Sequence, residues 1–143
     1  MTNGPRFEAT KLNKYPHFFP LDIPIWERFL DAHGSDFSGF NYDVKVGSGT
    51  KSPKGFGANY RRMQRILSKY RIDAVGFKPG SIWIIEVKPD AGTVAIGQIE
   101  TYTRLYQRDF KPTDSIVGCI VTNRALPDMK YLTSSKKIEY YIV

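Results

Sequence analysis

Cysteine and histidine are nearly absent. The 143 residues hold one cysteine, Cys119, and two histidines, His17 and His33. A lone cysteine excludes a disulfide framework and a cysteine zinc site. Two histidines without a matching serine and aspartate leave no ligand set for a zinc hydrolase, no histidine-based nuclease and no Ser-His-Asp triad. Cys119 lies in the apolar run Ile116-Val117-Gly118-Cys119-Ile120-Val121 and reads as buried packing in a reducing compartment. Long apolar runs are also missing: none approaches the ~20 residues that span a bilayer. Met1-Thr2-Asn3-Gly4-Pro5-Arg6 has no apolar core of a signal peptide. The expectation is a soluble protein with no membrane partner, cytoplasmic in a host cell or carried in a particle made there.

A third shortage is local. From Lys45 through Arg71 there is no Asp or Glu, while Lys45, Lys51, Lys54, Arg61, Arg62, Arg65, Lys69 and Arg71 all fall there. The whole chain carries 21 basic and 14 acidic residues, a net charge of +7. A field of one sign favours a polyanionic partner. Lys51, Lys54, Arg61, Arg62, Arg65 and Lys69 are therefore candidate DNA contacts, against the plainer reading of a solvated loop and helix face. Gly47-Ser48-Gly49-Thr50-Lys51 lacks the spacing of a nucleotide-binding loop and reads as a flexible segment that can touch phosphates.

What is present describes one α/β domain. This length buries about 68–70% of the unfolded chain's surface, enough to fold without a staple. Residues 1–21 read as an extended arm, because Pro5, Pro16 and Pro20 break regular structure while Tyr15, His17, Phe18 and Phe19 offer apolar contacts. Such an arm wraps its own domain, residues 22–143, or docks on a neighbour. Asp22 before Pro24 signals a helix start, and the spacing of Ile25, Trp26, Phe29 and Leu30 predicts a helix from Pro24 to His33. Residues 42–46 alternate as a strand. Residues 59–70 fit a helix or, equally, a strand leading into the next. Two strands, 71–77 and 82–88, flank Lys78-Pro79-Gly80-Ser81, a hairpin turn by composition. A helix over 94–110, a buried strand over 116–122, a short helix over 126–133 and a strand over 136–143 complete a mixed sheet with helices against it.

The chemistry concentrates on the hairpin. Alternation along a strand puts Glu86 and Lys88 on one face, and a charge late in the apolar strand Ile82-Trp83-Ile84-Ile85-Glu86 needs a partner. Asp73 is a second acid in the neighbouring apolar strand, so the two carboxylates can meet at one edge of the sheet. Close carboxylates repel, and a divalent cation relieves the repulsion. Mg²⁺ takes oxygen ligands and keeps waters and phosphates around it. A lysine beside such a cation can orient a water for attack on a phosphodiester.

Asp73, a hairpin and Glu86-Val87-Lys88 together resemble the PD-(D/E)XK motif, with Ile72 standing where the pattern's name has Pro. Gln98-Ile99-Glu100-Thr101-Tyr102 is similar to the QxxxY element of the branch that includes RecB-like nucleases, and small proteins of this kind occur among bacteriophage-encoded ones. Glu27 matches a place where family members often carry a further acid. The resemblance runs from about residue 24 to residue 143. It implies a restriction-endonuclease-like core in which Asp73, Glu86 and the Val87 carbonyl hold Mg²⁺ or Mn²⁺, with Glu27 as a further ligand. Lys88 would position the attacking water, and Gln98 and Tyr102 would order the site. The implied activity is metal-dependent hydrolysis of DNA by an endonuclease-like enzyme. Two other readings stand beside it: a catalytically silent component of a bacteriophage virion docked through the arm, and a DNA-binding module without cleavage, either of them monomeric or oligomeric.

Overall fold

The computed structural model describes residues 6–51 and 54–143. Helix α1 (Asp22–His33) is followed by strand β1 (Gly39–Val46), helix α2 (Ala58–Leu67), strands β2 (Tyr70–Lys78) and β3 (Ser81–Val87), helix α3 (Thr93–Phe110), strand β4 (Ser115–Thr122), helix α4 (Met129–Ser135) and strand β5 (Glu139–Ile142). The strands form a single mixed sheet in the order β1-β2-β3-β4-β5. The first three pair antiparallel, and β4 and β5 add in parallel.

Connection length decides which. Only Pro79 and Gly80 separate β2 from β3, so those strands must be antiparallel neighbours, and Gly80 takes the positive φ of 76° that this turn demands. Between β3 and β4 the chain is long enough for a crossover helix, α3, which allows parallel pairing.

Side-chain alternation splits the core. On one face α1 brings Ile25, Trp26, Phe29 and Leu30 against Phe40, Tyr42, Ala74, Trp83, Ile85 and Val121. This face holds much of the chain's aromatic content. Trp26 is fully buried and its indole N–H donates to the Tyr42 hydroxyl at 3.1 Å. On the other face Tyr102 and Tyr106 of α3 cover Val44, Ile72, Val75, Ile82 and Ile84. Cys119 is buried as expected. The described arm wraps its own domain: Phe7 bridges to Phe40, and Tyr15 is buried with Phe18 packed beside the same cluster.

The alternation breaks at one level. Tyr42 and Ala74 pack on the α1 face, yet Val44 and Ile72, two residues away, pack on the α3 face. Asp43 and Asp73 would pair at that level in the β1–β2 register but do not, and Asp43 takes a left-handed φ of 54°. Aspartate tolerates that conformation better than most residues. Pairing between β2 and β3 also ends there, at Ala74 and Ile85. The two acids of the hairpin thus lie where interior strands part, not at the outer edge of the sheet.

Candidate functional site

The parting strands leave a cleft of about 540 Å³. Its floor comes from Asp73 on β2 and from Glu86, Val87 and Lys88 at the end of β3. Gln98 and Tyr102 line it from α3, Asp22 from the first turn of α1, and His17, Phe19, Pro20 and Leu21 from the arm. Pro89 ends β3 and lines the cleft beside Lys88. Gln98 and Tyr102 reach the same space because residues four apart share a helix face.

Asp73 and Glu86 are each only 8% exposed. Their side chains interact directly, and both pKa values are raised, chiefly by burial. For Glu86 the neighbouring Asp73 charge adds to the effect. For Asp73 the Val87 N–H, donating to its Oδ2 at 2.9 Å, opposes it. The pair therefore retains a proton that free carboxylates would lose. Glu86 Oε2 and Gln98 Oε1 are buried without a hydrogen-bond partner. Two unpartnered acceptors in one acidic cleft call for a donor or a cation.

Arg71 does not neutralise Asp73. Its guanidinium grips Asp43 at both carboxylate oxygens, with Nε to Oδ1 at 2.6 Å. Burial works against the Asp43 charge, but the Arg71 hydrogen bonds and the nearby Lys45 outweigh it and hold the carboxyl below its ordinary range. Among the described residues Glu86 is not salt-bridged to Lys88 either. The Lys88 charge still opposes the rise of the Glu86 and Asp22 pKa values. Tyr102 is pushed up to about 12, first by burial and then by the Glu86 charge, while Gln98 donates to its hydroxyl.

The structure gathers Asp73, Glu86, Val87, Lys88, Gln98 and Tyr102 into one cleft, and it does not bring Glu27 there. Glu27 lies on α1 and accepts a hydrogen bond from the Tyr15 hydroxyl at 3.3 Å. The acid that α1 does supply is Asp22, 7% exposed, whose Oδ2 accepts from the Phe19 N–H at 3.1 Å. Its pKa is raised by burial, against that hydrogen bond. In sequence, Asp22 has the signature of a helix start, which concealed a place in the cleft. Among the described residues no group of three or more His, Cys, Asp or Glu side chains is arranged to hold a metal ion. The carboxylate pair with the unpartnered Glu86 oxygen is nevertheless the donor set that a hard divalent cation takes, completed by carbonyl and water oxygens.

Lys51, Lys54, Arg61, Arg62, Arg65 and Lys69 lie outside the cleft, on α2 and its approaches, and all but the half-buried Lys69 are exposed. No family model matches the chain, and neither does any curated protein or solved structure.

Proposed function

We propose that this protein hydrolyses phosphodiester bonds of DNA with a divalent metal, as an endonuclease-like member of the PD-(D/E)XK kind. The observation that carries the reading is the buried Asp73–Glu86 pair, with a partnerless Glu86 oxygen and Lys88 just past the end of the same strand. Asp73, Glu86 and the Val87 carbonyl would hold Mg²⁺ or Mn²⁺. When bound, that ion supplies charge neutralisation at a phosphoryl oxygen and makes a bound water more acidic.

The remaining roles belong to the chain. Lys88 offers an amine on the cleft wall, half-buried, to orient the attacking water and compensate charge developing on phosphate. The Val87 N–H fixes the Asp73 carboxylate and so orients its other oxygen toward Glu86 and the cleft. Gln98 holds the Tyr102 phenol, which stays protonated through neutral pH and can donate to a phosphate oxygen. Arg71, anchored on Asp43, lines the wall with a positive charge already oriented.

The test is turnover of plasmid and oligonucleotide DNA in Mg²⁺, Mn²⁺ or EDTA. The reading expects cleavage with either metal and none in EDTA. Intact DNA under every condition would remove it.

A further inference from the structure

Helix α2 has no buried residue, although Tyr60, Met63, Ile66 and Leu67 all lie on it. Tyr60, Met63 and Leu67 recur three and seven residues on, the spacing of one helix face. Phe56 precedes the helix and stacks on Tyr60 at 4.6 Å, and the exposed Tyr70 opens β2 three residues past the helix end. Met63 is 57% exposed and Leu67 66%, values of solvent-facing positions, so this apolar stripe covers nothing in its own domain. Arg61 flanks this stripe beside Tyr60 and Arg62 flanks it beside Ile66, Arg65 lies opposite, and Lys69 follows the end of the helix. Among the described residues the three arginines form no salt bridge.

We infer that α2, with Phe56 and Tyr70, is a platform for single-stranded DNA that feeds the cleft. This deepens the nuclease reading by naming its substrate class, and it rests on that reading. The charge argument comes first: of the eight cations in the acid-free stretch, Lys45 and Arg71 pair with Asp43, and the six that remain complement a polyanion. The rings narrow the choice. A duplex offers phosphates but hides its base faces, whereas a single strand offers both, phosphates for guanidiniums and π faces for exposed rings. Continuity decides between a strand and an anionic lipid surface. Past the end of the helix, Tyr70 opens β2, and its ring centre lies 6.1 Å from that of Tyr102, a wall of the cleft. A strand can run from the helix over Tyr70 into the acidic pocket. A lipid surface has no use for that path.

The experiment is fluorescence anisotropy in EDTA, where no cleavage occurs, with labelled oligodeoxythymidylate and a duplex of equal length. Wild type is compared with Phe56→Ala/Tyr60→Ala and Arg61→Ala/Arg62→Ala/Arg65→Ala, whose exposed positions should leave the circular dichroism spectrum unchanged. Wild type should prefer the single strand. The ring variant should lose roughly tenfold or more of single-strand affinity and leave duplex affinity within about twofold. The arginine variant should weaken both and flatten their salt dependence. Unchanged single-strand binding by the ring variant, or a wild-type preference for duplex, overturns the inference. So does a need for the rings only in pelleting with phosphatidylserine vesicles or in self-association by ultracentrifugation. Ring-dependent binding without cleavage in Mg²⁺ would sink the nuclease reading and keep the platform. Cleavage with ring-independent binding would do the reverse.

Discussion

Asp73 and Glu86 place a pH signature in the protein. Both are held above the carboxylate range chiefly by burial, with the Asp73 charge adding to the rise of Glu86 and the Asp22 charge to that of Asp73. Above about pH 4 the unfolded chain releases these protons while the folded chain keeps them. Stability of the metal-free protein therefore falls as pH rises through neutrality, and it levels off once the raised values are passed. Glu86→Gln removes a charge that the fold suppresses. Its unfolding free energy from urea titration should match wild type near pH 4 and exceed it near pH 8, by an amount on the order of 1–3 kcal/mol. A midpoint difference independent of pH would contradict that origin. Lys88→Ala should instead leave stability and Mn²⁺-dependent thermal shift nearly unchanged while lowering turnover by at least about a hundredfold, read by single-turnover cleavage. Asp22→Asn should alter turnover, and Glu27→Gln should leave it within about twofold. The hairpin acids and the lysine were legible because charges in apolar strands need a reason. Glu27 was preferred to Asp22 because Asp22 reads as a helix start, although Asp22, three and four residues before Ile25 and Trp26, shares the inward face and Glu27 does not.

Among the elements, the helices that cover the sheet were legible from their apolar spacing, and α2 was not. Its apolar residues recur at helical spacing but bury nothing, and the segment runs directly into β2, so a strand reading stayed open. The same fact predicts its energetics. Leu67→Ala should change stability by less than about 0.5 kcal/mol, whereas Trp26→Ala should cost about 3–5 kcal/mol, both from urea unfolding. Close approach of α3 to β4 gives a sharper case. A Cβ on Gly118 would lie 2.5 Å from Ile99 Cγ2, so Gly118→Ala should cost about 1–3 kcal/mol by forcing the two apart. Hydrogen exchange should rank the helices alike, with α2 amides unprotected and those of α3 among the slowest. Comparable protection in α2 would mean that something covers it.

For the molecule as a whole, the mixed sheet followed from the order of its elements and the hairpin from the composition of its turn, but the break at Asp43 and Asp73 did not. It depends on two strands whose pairing partners are far apart in sequence, and on a backbone conformation that no spacing announces. That break is what opens the cleft, turning a continuous sheet into one with two carboxylates at a gap. The arm completes the same cleft with His17 and Phe19, so truncating residues 1–21 should lower both stability and activity. The central claim, metal-dependent cleavage centred on the hairpin acids, is tested most directly by one measurement. Single-stranded and duplex DNA are incubated with wild type and Lys88→Ala in Mn²⁺ and in EDTA, and the products are resolved on a denaturing gel. The account predicts metal-dependent cleavage by the wild type alone. Intact DNA in every lane, or cleavage that persists in EDTA or in Lys88→Ala at the wild-type rate, would contradict it.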